Sequence, residues 1–381
     1  LFVALIEFGG LRRRVLFNSF ATNTPPTNAP TEFLYASGVA TVSAYSIDSL
    51  TGALTEVSSV PGAHGGTDLA STPSGSYLYA IDQPSVGIDA LSVSKTGSLS
   101  AIAGSPFAFP EVNPFLLSGI AIDSTGKFLY SADAGSNSVA GFTIDGTSGA
   151  LNPIRGGVVS TDTEPRVMAL DPASKFLFVT NEIGGSISAF TLNSSTGVLT
   201  AVPGSPYPID PNDNNTQPAS IAVHTSGKFV YTALFNANGV AAFSIDSTTG
   251  ALTSIAGSPF AVGSNQITES NWIAIHPSGK FLYTMNLVDA AVVAFAIDPT
   301  SGALSPVAGS PFTSPPGPFG PVGVQGPVVI DRTGSFLYVA CSNAYISAFQ
   351  IDQTTGALKP LAGSPLTIPV SATGLAVGPI P

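Results

Sequence analysis

The side chains of this 381-residue chain that could take part in chemistry are few, and they fall at readable places. His64 stands in the open, glycine-rich stretch Pro61-Gly-Ala-His-Gly-Gly66, a setting suited to contact with a ligand. His224 and His276 each close an apolar run, Ser220-Ile-Ala-Val-His224 and Trp272-Ile-Ala-Ile-His276, where sister runs carry Asp123, Asp171 and Asp331. A turn role outweighs catalysis at both. Much of the remaining charge gathers in two sets of loops: Asp68, Glu111, Asp162, Glu164, Arg166, Asp210, Asp213 and Glu269 in one, Asp82, Asp133, Glu182 and Asp289 in the other. From these, His64, Glu111, Asp133 and Glu269 are candidate ligand contacts, the competing reading being that exposed loops are where proteins ordinarily carry charge. The single Cys341 can form neither an intrachain disulfide nor a thiolate cage, and no spaced ligand motif points to a metal ion. Nucleophile elbows, phosphate loops and dinucleotide fingerprints are missing too, so neither cofactor nor metal is expected.

The elements that must position these groups are written as a repeat. A short aromatic-apolar-aromatic run recurs seven times, at Phe33-Leu34-Tyr35, Tyr77-Leu78-Tyr79, Phe128-Leu129-Tyr130, Phe176-Leu177-Phe178, Phe229-Val230-Tyr231, Phe281-Leu282-Tyr283 and Phe336-Leu337-Tyr338. Its spacing of roughly 50 residues is the period of a β-propeller blade. Each unit reads as four strands. The first carries small and branched residues, as crowding around a central axis requires. The second is the aromatic run, apolar on both faces because blades stack on both sides. Ser-Gly-Lys turns join these two, as at Pro277-Ser-Gly-Lys280, and an Ile-Asp-x-x-Thr/Ser-Gly hairpin joins the third and fourth. Each hairpin supplies one carboxylate at most, which favours an Asx-turn cap over a calcium loop. Gly-Ser-Pro recurs at residues 104–106, 204–206, 257–259, 309–311 and 363–365, where proline is expected to blunt an exposed edge.

The fold class is therefore all-β: a seven-bladed propeller of four-stranded antiparallel blades. The last apolar segment, Gly374-Leu-Ala-Val377, matches an innermost strand with no aromatic run after it, while Phe33-Leu34-Tyr35 has no innermost strand before it. Leu375 to Val377 is expected to pair beside Phe33 to Tyr35 and close the ring from both ends.

Composition narrows the partners. A formal charge of −11 with only 12 Lys and Arg opposes binding to a phosphate backbone. No stretch has the apolar length of a membrane span. Residues 1–29 read as a leader-like segment, Leu1-Phe-Val-Ala-Leu-Ile6 before Arg12-Arg13-Arg14, followed by a Thr/Pro/Asn-rich tether. Residues 30–381 form the propeller, expected to be exported and monomeric.

With the repeat in hand, the chain resembles the seven-bladed lactonase propellers, the family of bacterial 6-phosphogluconolactonase and fungal 3-carboxymuconate lactonising enzyme. The likeness covers roughly residues 30 to 381 and rests on the Asp/His-Pro-Ser-Gly-Lys-Phe-Leu-Tyr and Ile-Asp-x-x-Thr-Gly-Ala-Leu segments. In that family an arginine before one inner strand and a carboxylate after the next strand stand at the central mouth. The matching residues are Glu164-Pro165-Arg166-Val167 and, after Phe176-Leu-Phe-Val-Thr180, Asn181-Glu182. The resemblance implies Arg166 as the group that binds a lactone carboxylate or carbonyl oxygen, and Glu182 as the general base for water. Two departures accompany it: Pro114-Phe-Leu-Leu-Ser118 replaces a histidine-bearing loop, and Ala233-Leu-Phe-Asn236 replaces an Asn-Arg-Gly turn. A phosphorylated sugar lactone, a dianion, is disfavoured beside a single loop arginine and several acids. Two readings follow: a hydrolase for a small lactone, or an exported propeller that binds a carbohydrate-like ligand or a protein without turnover.

Overall fold

A computed structural model describes residues 3–8, 11–16 and 30–381, apart from 39, 62–64, 83–86, 111–115, 211–215, 238, 264–271, 288, 316–323, 342–343 and 369–371. Seven antiparallel sheets follow one another along the chain, each with four ladder positions. The third of them shows the plan: Leu117–Ile122 innermost, then Phe128–Asp133, Ser138–Ile144 and Leu151–Ser160 outward. Each innermost strand packs against those of the blades before and after it, and the seventh returns to the first, so the sheets encircle an axis. Val3–Phe8 and Leu11–Leu16 form a separate two-stranded hairpin.

The ring closes as the repeat requires. Gly374–Pro379 is the innermost strand of the first blade, antiparallel to Glu32–Gly38, with Leu34 opposite Val377, Tyr35 opposite Ala376 and Ala36 opposite Leu375. One blade is thus assembled from segments more than 330 residues apart, as in the bond from Thr373 Oγ1 to the Ser37 carbonyl.

What fastens blade to blade is the aromatic run itself. Its first ring lies on the hairpin glycine of the next blade: Phe229 on Gly302, Phe281 on Gly356, Phe336 on Gly52. Two residues on, a tyrosine hydroxyl donates to that glycine's carbonyl, as Tyr79 to Gly149, Tyr130 to Gly197, Tyr231 to Gly302, Tyr283 to Gly356 and Tyr338 to Gly52, all at 2.7 to 2.9 Å. The fourth blade has Phe178 at this position and lacks the hydroxyl. The hairpin aspartates are caps, as the sequence implied: Asp48 Oδ1 accepts from the amides of Leu50 and Thr51 and from the Thr51 hydroxyl.

The Gly-Ser-Pro segments do more than blunt an edge. Each serine Oγ accepts from an amide of the third strand, Ser105 from Ala90, Ser205 from Ala189, Ser258 from Ala242, Ser310 from Ala294 and Ser364 from Ala348, every one at 2.9 Å. The hydroxyl replaces a missing ladder partner. Past it the chain pairs again with the same strand, for example Phe107 opposite Ile88. The two blades without the motif have long continuous outer strands, Leu54–Pro61 and Leu151–Ser160, each with a register shift.

Gly302 sits at φ +74°, and a Cβ there would lie 2.6 Å from Phe229 Cδ1 and 2.7 Å from Ile255 Cδ1. Gly302→Ala should cost about 2–4 kcal/mol, combining a left-handed backbone penalty with overpacking. Gly156, at φ +69° with open space around it, isolates the first part, and Gly156→Ala should cost about 1–2 kcal/mol. Urea unfolding of both variants measures the difference, and equal losses would show that the aromatic–glycine contact contributes nothing. Deleting residues 372–381 should abolish the cooperative thermal transition followed by circular dichroism. A truncated chain that melts like the full one would mean the ring holds without its seam.

Candidate functional site

The faces of the ring differ in what their turns do. On one face the turns joining first to second strands are tied into a belt. His224 Nε2 faces the Gly279 carbonyl at 2.8 Å and His276 Nε2 faces that of Gly334 at 2.9 Å. A carbonyl can only accept, so both rings carry the proton on Nε2, and Nδ1 accepts from the Ser226 and Ser278 amides at 3.1 Å. Both imidazoles are buried and committed to turns, as expected from their repeat position.

On the opposite face the innermost strands lose their regular register. Shifts occur between Gly65 and Leu69, Leu117 and Ile120, Pro165 and Met168, Pro218 and Ser220, and Val324 and Val328. Bulges of this kind re-aim side chains, and here they open a mouth on the axis. In the fourth blade Glu164 adopts φ +61° and its amide donates to Asn137 Oδ1 of the preceding blade at 2.8 Å. Glu182 N donates to the Glu164 carbonyl at 2.8 Å, and Gly184 N to that of Thr163 at 3.0 Å. Across the bulge the Val167 amide turns to the Thr180 hydroxyl at 3.1 Å. The entry loop and the turn after the second strand are thereby fixed to one another, each carrying one charged residue into the mouth.

Those two residues meet. Arg166 Nε donates to Glu182 Oε2, with the arginine side chain 40% exposed and the glutamate 14%. They line a cavity of about 280 Å³ together with Ser118, Val167, Ala219, Phe235 and Trp272. Ser118 is committed, its hydroxyl donating to the Pro165 carbonyl at 2.6 Å. Gly119 beside it lets the two inner strands close up, since a Cβ there would overlap the Arg166 carbonyl oxygen. An arginine held against a carboxylate at a solvent-reached wall offers two functions at one place: donors for an oxyanion and a base for water.

Asp133 lies elsewhere. It is fully buried, and its Oδ1 accepts from the amides of Leu116 and Gly135 while Oδ2 accepts from the Ser136 hydroxyl, so it shapes its own turn. His64, Glu111 and Glu269 lie outside the described residues. Among the described residues no group of three or more His, Cys, Asp or Glu could hold a metal ion, and no helix is long and apolar enough to cross a membrane. Cys341 is buried, its thiol held above the usual range by burial.

The sequence reading passed over Trp272 and Phe235. A signal for both exists in the repeat. Trp272 stands one residue before Ile273, where sister strands have Asp68, Gly119, Val167, Ser220, Pro327 and Gly374, so it is the one aromatic ring at this position. Phe235 directly follows a second strand, Phe229–Leu234, as Glu182 follows Phe176–Asn181. Cavity walls thus come from three repeat positions taken from neighbouring blades.

With this geometry in place, the comparison with known proteins is decisive at the level of family. The sequence profile described as "Lactonase, 7-bladed beta-propeller" matches residues 38–207, 120–318 and 266–371. The chain belongs to this family. A 6-phosphogluconolactonase of Enterobacter sp. (strain 638) is 40% identical over 84 residues, a match spanning 22% of this chain and 24% of that relative. Among solved structures, a candidate 6-phosphogluconolactonase of Bacteroides fragilis superposes with a TM-score of 0.73 at 21% identity, covering 92% of this chain and 99% of the other. The periplasmic gluconolactonase of Pseudomonas aeruginosa gives 0.71 at 18% identity, with coverages of 92% and 99%. At these identities the structural likeness establishes the shared fold.

One further acid lies in the axial wall. Asp68, in the innermost strand of the second blade, accepts from its neighbour Leu69 N at 2.9 Å and from Ile120 N of the next blade at 3.1 Å. Part of its surface is exposed, yet inner strands flank it on both sides, and desolvation pushes its pKa up to about 7 against those two amides. Between the unfolded value near 3.8 and this one, the folded protein holds a proton that the unfolded chain has released. Its contribution to stability therefore falls as pH rises from about 4 to about 7 and is level beyond. Asp68→Asn should flatten the melting profile in that window relative to wild type. Parallel profiles for the two proteins from pH 4 to 8 would show that Asp68 ionises normally.

Proposed function

We propose that the cavity at the mouth hydrolyses a small lactone that is neutral or weakly charged. The observation that carries this reading is the pairing of Arg166 with Glu182 at the wall of a cavity in a chain of the lactonase family. Glu182 takes a proton from a water as that water attacks the lactone carbonyl carbon. The developing oxyanion is met by the guanidinium of Arg166, whose terminal amino groups remain for a ligand while Nε holds Glu182. Collapse of the tetrahedral centre breaks the ring C–O bond, and the proton passes to the departing alkoxide, giving a hydroxy acid. A general base contributes about 10²–10⁴ in rate and an oxyanion donor about 10²–10³.

The names of the relatives, a 6-phosphogluconolactonase and a periplasmic gluconolactonase, support a lactone as substrate and an exported setting. The competing reading is a propeller that binds without turnover. It is favoured by the commitment of Ser118 to a backbone carbonyl, which leaves Arg166 and Glu182 as the polar side chains of the described lining that could act on a substrate.

Hydrolysis of a panel of γ- and δ-lactones by the purified protein should fall about 10²–10⁴-fold in Glu182→Gln and about 10²–10³-fold in Arg166→Ala. Wild-type rates no faster than those of the double variant would end the hydrolase reading. Saturable thermal stabilisation by a lactone that is not turned over would establish the binding reading instead.

A further inference from the structure

We propose that the ligand of this cavity carries a flat aromatic or apolar ring, seated on Trp272 and Phe235, in preference to a polyhydroxylated sugar ring. The inference rests on the lactonase reading for the reacting end of the molecule but concerns the apolar part of the lining. Of the described lining residues, Val167, Ala219, Phe235 and Trp272 are apolar, and they come from three successive blades. The polar side is nearly spent. Arg166 and Glu182 cancel one another's charge, and the Ser118 hydroxyl is bound to the Pro165 carbonyl.

A sugar lactone brings several hydroxyls, each giving up water on entry and each in need of a partner. Aromatic platforms do serve sugars, but with a ring of side-chain hydrogen-bonding groups around the platform. Here the described lining offers one ion pair for that purpose. A carbonyl at the Arg166 end and a flat apolar body against the two rings suits the described lining. The absence of surplus positive charge in the described lining also disfavours a phosphate.

The Trp272 ring is packed in place, and the backbone that carries Phe235 is fixed. The Trp272 carbonyl accepts from the Thr284 hydroxyl at 2.9 Å, and its side chain packs against the core cluster containing Met285 and Val292. Phe235 N donates to the Gln217 carbonyl at 2.8 Å. A platform fixed before binding loses little freedom when a ligand arrives. The volume, about 280 Å³, lies just below the ~300–1,000 Å³ usual for small-molecule sites and suits a body of one or two rings.

Trp272 is the only tryptophan in the chain, so its emission reports occupancy of this wall directly. The probes are two hydrolytically inert lactams, 3,4-dihydro-2-quinolinone and D-glucono-δ-lactam, titrated with excitation near 295 nm. The aryl lactam should shift Trp272 emission saturably and bind at least 10-fold more tightly than the sugar lactam. Phe235→Ala should weaken it at least 5-fold and Phe235→Tyr should restore it. Equal or tighter binding of the sugar lactam, or no shift with either, overturns the proposal. Turnover of the matching lactones, 3,4-dihydrocoumarin and D-glucono-δ-lactone, is measured alongside. Tight aryl binding without hydrolysis removes the hydrolase reading and leaves this inference intact. Hydrolysis of both lactones with no preference for the aryl one does the reverse.

Discussion

The structure depends on an aromatic ring lying where a side chain is missing. A blade of four strands cannot bury its own faces, so it is stable only against neighbours. The contact that sets the spacing is the first ring of each aromatic run on the hairpin glycine of the following blade, seen at Phe33 and Gly97 as at Phe281 and Gly356. That glycine serves two needs at once: a left-handed backbone for the hairpin, and an open flank for the neighbouring ring. In five blades the tyrosine two residues later adds a hydrogen bond to the same residue. Carried round from Tyr338 to Gly52, the contact joins the last blade to the first as firmly as any other pair.

Because the fastening sits at one face, the other face is free to deviate. The bulges at the mouth ends of the inner strands would be costly in a region that had to hold the ring together. Here they cost little, because neighbouring side chains take up the displaced groups, as the Thr180 hydroxyl takes the Val167 amide and Asn137 takes that of Glu164. The displaced strand then delivers Arg166 towards Glu182. Rigid ring and irregular mouth are parts of one arrangement, which is the usual division between scaffold and site.

Much of this was legible in the chain alone. Blade number, strand order, the closing strand at Leu375, and the turn roles of His224 and His276 follow from aligning each repeat with its sisters, since any position common to several blades has a structural duty. The charged pair was legible only through resemblance. Spacing within the repeat does not say that residues 166 and 182 converge, because that depends on the register shift between Pro165 and Met168, where the Val167 amide turns to the Thr180 hydroxyl. Asp133, the last residue of its second strand, was read as a candidate contact, and in the structure its carboxylate accepts from the Leu116 and Gly135 amides. Trp272 and Phe235 were passed over because apolar residues in strands and strand ends are ordinarily core, and only their departure from sister positions marks them.

The seam of the first blade has a consequence for orientation. Glu32 is the cross-strand neighbour of Pro379, and its carboxylate accepts from the Arg332 amide in the histidine belt, so both ends of the ring emerge on the side away from the cavity. Whatever is spliced on there, whether a tag, a surface anchor or a second module, hangs from the back of the disc. The opening lies on the other face, so an attachment at the rear begins away from the cavity.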